Sequence, residues 1–157
     1  MENTTIDNGT VEVLNDLVEI NNDRIVGYEK AANELENDGL GLRELYLKMA
    51  GQSRDIISQL RHEIANLGGE VEEGTTVSGK IYRAWMDVKS TFSSNKGEST
   101  LELCEFGEDA AQKAYAQALA TDEFLDTQTR QLIADQKADL KLSHDVIKRH
   151  RDASRNN

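Results

Sequence analysis

The chain has 157 residues, 38% hydrophobic and 30% charged, with no proline and one cysteine. That length suits one domain, and helices tolerate a lack of proline better than loop-rich β folds, which use it in turns and at sheet edges. One cysteine excludes an internal disulfide framework, a four-Cys zinc site and a CxxC redox pair.

Eighteen Lys+Arg against 29 Asp+Glu give a net charge of −11. Nucleic-acid affinity comes largely from cations that displace counterions, so this charge argues against a nucleic-acid partner. It disfavours an anionic membrane surface for the same reason. Residues 1–10 lack the basic and apolar regions of a signal peptide, and no apolar run approaches the ~18 residues of a membrane span. A cytoplasmic location is expected, with Cys104 a buried thiol.

Residues 1–10 read as a disordered lead-in, 11–153 as one bundle domain and 154–157 as a frayed tail. The first helix is predicted from about Val11 to Asn37. Val11, Leu14, Val18, Asn21, Ile25, Tyr28, Ala32 and Leu35 alternate in steps of three and four, which is one helical stripe. Thr10 can cap its start, and Asp38-Gly39 can end it. The second helix runs from about Leu42 to Leu67 with Leu45, Met49, Ser53, Ile56, Leu60 and Ile64 on one face, and Gly68-Gly69 stops it. The short connection makes these two helices antiparallel.

Residues 68–79 form a polar, glycine-bearing loop. Ile81, Trp85, Val88 and Phe92 then predict a short amphipathic helix. The stretch reads as a crossover between the ends of a bundle, with Trp85 covering an end or side of the core. Ser99 and Glu102 form a capping box that opens the third long helix. This helix reaches about Ala120 through Leu101, Cys104, Glu108, Ala111, Tyr115 and Leu119. Asp122 can cap the fourth, which runs to about Asp152 through Leu125, Leu132, Gln136, Leu140, Ile147 and His150. No segment alternates long enough to be a strand. The expectation is an all-α bundle of two antiparallel hairpins joined by a long crossover.

An offset of 87 residues aligns Leu14 with Leu101, Asn21 with Glu108 and Tyr28 with Tyr115. That register suggests a pseudo-two-fold bundle, although any two heptad helices can be aligned in this way.

At these residues the chain resembles the ferritin-like superfamily. Its di-iron arrangement sets Glu-x6-Tyr on the first and third helices and Glu-x-x-His on the second and fourth. A closer resemblance is to a bacterial family of ferritin-like four-helix-bundle proteins of unknown function. It is carried by the segments at Leu14–Ala32, Leu67–Glu70, Ala84–Lys89, Cys104–Tyr115 and Ser143–Asp145. The resemblance implies an up-down four-helix bundle and a bacterial source. It suggests a stress-associated role, and it implies no established reaction.

The di-iron donors are largely missing. Asn21 stands where the first carboxylate would be, Ser53 and Ile56 stand at the second-helix pair, and Lys141 precedes His144 on the fourth helix. Glu108 matches, and Glu105 lies one turn earlier. One carboxylate and one histidine cannot offset the charge of two irons in a low-dielectric core, so a degenerate centre and a non-enzymatic protein are expected, with no cofactor. The alternative is a single divalent metal, such as zinc, or a metal-dependent oxidoreductase, held by Glu105, Glu108 and His144. A third reading is a helical adaptor, acting through a protein partner or as a homo-oligomer.

Glu108 sits in an apolar stripe, and a buried carboxylate needs a partner. Tyr28, Tyr115, Asn21 and His144 are the candidates. Glu19, Glu29 and Glu63 read as a solvated face, His62 as solvated, and His150 as a weak contact at the helix end. Cys104 has no histidine near in sequence and reads as core packing. No phosphate-binding glycine loop is present.

Overall fold

The computed structural model describes residues 8–35, 41–70, 79–93 and 100–155. They form five helices: α1 (Asn8–Asn33), α2 (Leu42–Asn66), α3 (Lys80–Ser93), α4 (Thr100–Leu119) and α5 (Thr127–Arg155). Among the described residues there is no strand, as the periodicity predicts. No described helix is long and apolar enough to cross a membrane.

The pairing of side chains gives the helix directions. Arg24 and Asn21 meet Ser53 while Asn15 meets Glu70, so α1 and α2 are antiparallel. Tyr115 meets Gln136 while Glu105 meets Arg151, so α4 and α5 are antiparallel. Asn21 meets Tyr115 and Tyr28 meets Glu108, which sets α1 antiparallel to α4. Gln59 meets Gln136 and Gln52 meets Ser143, which does the same for α2 and α5. The four long helices thus surround one interior, and α3 lies against α1 and α4.

The core follows the predicted stripes but is wider on α1. Leu17 and Ile20 are fully buried beside Leu14 and Val18, because α1 faces α2, α3 and α4 at once. Leu60, Ile64, Tyr115, Ile133 and Leu140 complete the main cluster, with Trp85 of α3 closing its side. A second cluster holds Tyr28, Tyr46, Met49, Leu101 and Ile147.

Several helix ends differ from expectation. The first helix already includes Asn8–Thr10. Thr10 is buried within its first turn and donates its hydroxyl to Phe124 O at 2.5 Å, so docking onto the α4–α5 connection extends the helix past its expected cap. Asp38-Gly39 and Ser99 lie outside the described residues. The α2 terminus is as expected: Gly68 adopts φ 78°, Gly68 N–H donates to Ala65 O and Gly69 N–H to Ile64 O. This is a Schellman motif, in which the left-handed residue favours glycine. A side chain at position 69 would run into Val11.

The α5 cap is Asp126, not Asp122. Asp126 Oδ1 accepts the Thr129 N–H at 2.8 Å, which satisfies one of the orphan donors of the first turn. The intervening loop buries Leu125, and α5 continues through Ser154 to Arg155 beyond its expected end.

Two aspartates of α1 fix α3. Asp16 Oδ1 accepts from Gly79 N–H at 2.9 Å and Oδ2 from Tyr82 N–H at 3.2 Å, capping α3 from another helix. Asp23 accepts from Tyr82 Oη, Trp85 Nε1 and Lys89 Nζ at 2.9–3.1 Å. Those three residues stand three and four apart on one helix face.

Candidate functional site

The interior holds a continuous polar layer at the middle of the bundle. Arg24, 6% exposed, grips Glu108, 2% exposed, in a two-point contact: Nε to Oε1 at 3.0 Å and Nη2 to Oε2 at 2.6 Å. Such forked pairing is the strong form of a charge-assisted hydrogen bond. Tyr28 donates its hydroxyl to Glu108 Oε2 at 2.5 Å, and the guanidinium lies 5.1 Å from the Tyr28 ring centre. Arg24 Nη1 donates to Ser53 Oγ at 2.8 Å and to Met49 O at 3.1 Å. Ser53 donates onward to Asn21 Oδ1 at 2.8 Å. Asn21 donates to Tyr115 Oη at 3.1 Å, Tyr115 to Gln136 at 2.8 Å, and Gln136 to Gln59 at 2.9 Å.

The layer links α1, α2, α4 and α5, and it obeys the internal repeat. Asn21 pairs with Tyr115, and its repeat mate Glu108 pairs with Tyr28, the mate of Tyr115. No buried side-chain nitrogen or oxygen is left unpartnered among the described residues. Burial pulls the Arg24 pKa down, but the adjoining Glu108 carboxylate outweighs it, and the guanidinium stays charged. Burial pushes the Tyr28 and Tyr115 phenols well above their ordinary value, so both stay protonated donors. Glu108 is therefore a satisfied core carboxylate. Of the four candidate partners only Tyr28 reaches Glu108, while Tyr115, Asn21 and His144 bond elsewhere, and Arg24 is the unexpected partner.

Arg24 escapes a stripe drawn through apolar residues, yet it stands three after Asn21 and four before Tyr28. Both spacings put it on the inward face. A cation on that face, opposite an inward Glu on another helix, is the signal that could have found it.

Glu105 and His144 lie elsewhere, on the outer side of α4 and α5. The third donor beside them is Asp109, whereas Glu108 turns to the interior. One ligand atom each from Glu105, Asp109 and His144 falls within 4.8 Å of the others. His144 Nε2 lies 2.5 Å from Asp109 Oδ1, and Nδ1 lies 3.1 Å from Asp145 Oδ1. Burial pulls the His144 pKa down, but the hydrogen bonds to Asp145 and Asp109 outweigh it and hold it above the ordinary imidazole value. Glu105 pairs with Arg151, which also donates to Asp152. Lys141 faces Asp145 at 3.2 Å.

Other expected sites resolve plainly. Glu63 is not on a solvated face. It is 4% exposed and accepts from Thr129 Oγ1 at 2.6 Å and Gln128 Nε2 at 3.0 Å, which tie α2 to the start of α5. Glu19 is half-buried, and Glu29 pairs with Arg54. His62 is exposed, as expected. Cys104 is half-buried rather than fully buried, and burial with the neighbouring Glu108 pushes its thiol far up, which disfavours a nucleophilic thiolate. It lines a largely apolar cavity of about 280 Å³ between α1, α3 and α4, with Arg24 and Glu108 at its inner wall and Trp85, Val88 and Phe106 around it.

No curated protein matches the chain. The family described as domain of unknown function DUF2383 matches residues 9–121, which takes in α1 through α4 and leaves out α5. The chain belongs to that family.

Proposed function

We propose that this protein is a ferritin-like four-helix bundle in which an internal ion pair has replaced the di-iron centre. It then acts as a non-enzymatic protein through binding or self-association. One observation carries the reading: the Arg24 guanidinium reaches Glu108, Ser53 and the Met49 carbonyl inside the bundle. Glu108 and Ser53 stand at the third- and second-helix ligand places, and Asn21 of the first-helix place hydrogen-bonds to Ser53. A tethered cation thus occupies the middle of the donor set. Two metal ions would have to displace it, and its charge would oppose theirs at short range. The residues present do not fit a di-iron group. The antiparallel neighbours and the long α2–α4 crossover agree with the ferritin-like arrangement. A bacterial, stress-associated role follows from the resemblance alone.

Elemental analysis of purified protein, with aerobic titration by ferrous iron, tests the reading. The expected result is no iron in the core and no ferroxidase turnover. About two irons per chain, lost in Glu108→Ala, overturns it.

A further inference from the structure

We propose that Glu105, Asp109 and His144 form a surface site for one divalent transition ion of the zinc class. The site stands apart from the interior ion pair, so either reading can fail alone. Glu105 and Asp109 are four apart on α4 and share a face. His144 reaches them from α5, and the three donor atoms fall within 4.8 Å of one another. Zinc bonds of ~2.0–2.2 Å hold tetrahedral ligand atoms roughly 3.3–3.6 Å apart. The three donor atoms therefore lie near that spacing.

The imidazole is already set for this role. Asp145 Oδ1 lies 3.1 Å from Nδ1 and Asp109 Oδ1 2.5 Å from Nε2; with Asp145 keeping the Nδ1 proton, the ion takes the place of the Nε2 proton between the ring and Asp109. A carboxylate behind a ligating histidine is the usual device for fixing its tautomer and raising its basicity. Asp145 is thus a positioning residue. The ion displaces Arg151 from Glu105, and Arg151 keeps Asp152 at 2.9 Å. Two carboxylates neutralise a divalent charge, and the Asp109 side chain, 57% exposed, leaves the fourth position to water. A ring nitrogen in the set favours zinc, nickel or copper over magnesium and calcium, which take oxygen ligands.

Titration calorimetry of the full chain, stripped with chelator and titrated with Zn²⁺ alone at neutral pH, decides the matter. The expected result is one zinc per chain, weakened at least tenfold in His144→Ala and in Asp109→Asn, and unchanged in His62→Ala. Asp145→Asn is expected to weaken zinc by about tenfold or more while leaving the zinc-free unfolding midpoint in place. Equal zinc binding by wild type, His144→Ala and Asp109→Asn overturns the proposal, as does no binding, or competition by equimolar Mg²⁺.

Discussion

The inner and outer faces of α4 put acidic side chains to opposite uses. Glu108 faces inward, where a guanidinium from α1 meets it with two hydrogen bonds and Tyr28 adds a third. Glu105 and Asp109 face outward, where an imidazole from α5 stands among them. Inside, the cation is part of the chain and arrives with folding. Outside, the positive groups are His144, Lys141 on Asp145, and Arg151, which is shared between Glu105 and Asp152. The carboxylate is the same chemical group in both places. What differs is burial: the inner pair is closed off from solvent, whereas the outer cluster is part-exposed.

The largest effect is expected inside. Glu108→Ala leaves Arg24 buried without its counter-charge and should cost about 3–5 kcal/mol in urea unfolding. The double variant Arg24→Met with Glu108→Leu removes both charges. It should unfold within about 1 kcal/mol of wild type, or above it, because desolvating the pair offsets much of its attraction. A double variant as weak as Glu108→Ala would mean that the layer contributes net stability rather than a matched pair of costs.

Next comes a second inward carboxylate, without a cation. Glu63→Ala strands the buried Thr129 hydroxyl and should cost about 1–3 kcal/mol by the same measurement. A cost under about 0.5 kcal/mol would show that water reaches the α2–α5 joint and satisfies it.

Asp16 sharpens the comparison by pH. Burial outweighs the N–H groups of Gly79 and Tyr82 and raises its pKa above the ordinary 3.8. Folding therefore favours the protonated acid. The advantage is complete below the unfolded value and is lost as pH rises through the folded one. The stability margin of wild type over Asp16→Asn should be widest near pH 4 and narrow toward pH 7. A margin that widens with pH would make Asp16 a stabilised carboxylate.

The smallest effect belongs outside. Without added metal, His144→Ala should shift stability by no more than about 0.5 kcal/mol, because it removes only surface ion pairs. A loss of several kcal/mol would place His144 among the structural groups.

Much of the fold could be read from spacing, because steps of three and four mark apolar faces and the Gly68-Gly69 stop has one natural geometry. The interior was less legible. Hydrophobic periodicity treats Arg24 and Glu63 as interruptions, although each stands on a buried face and is matched by a residue far away in sequence. The outer cluster was half legible. Glu105 and Glu108 look like neighbours at three apart, but the helix carries them about 60° apart, whereas Asp109 returns to within about 40° of Glu105. Asp16 and Asp23 carry no local sign of their roles, because their partners belong to α3 and the residue before it, 59 to 66 positions on.

The hold of Asp23 on α3 has a spectroscopic consequence. Trp85 is the chain's single tryptophan, its indole N–H rests on Asp23, and its ring borders the 280 Å³ cavity. Intrinsic emission from this protein therefore monitors one joint, not the whole fold. A small molecule entering the cavity, or a solvent change that lifts α3, will alter that emission while far-ultraviolet ellipticity, dominated by the four long helices, stays level.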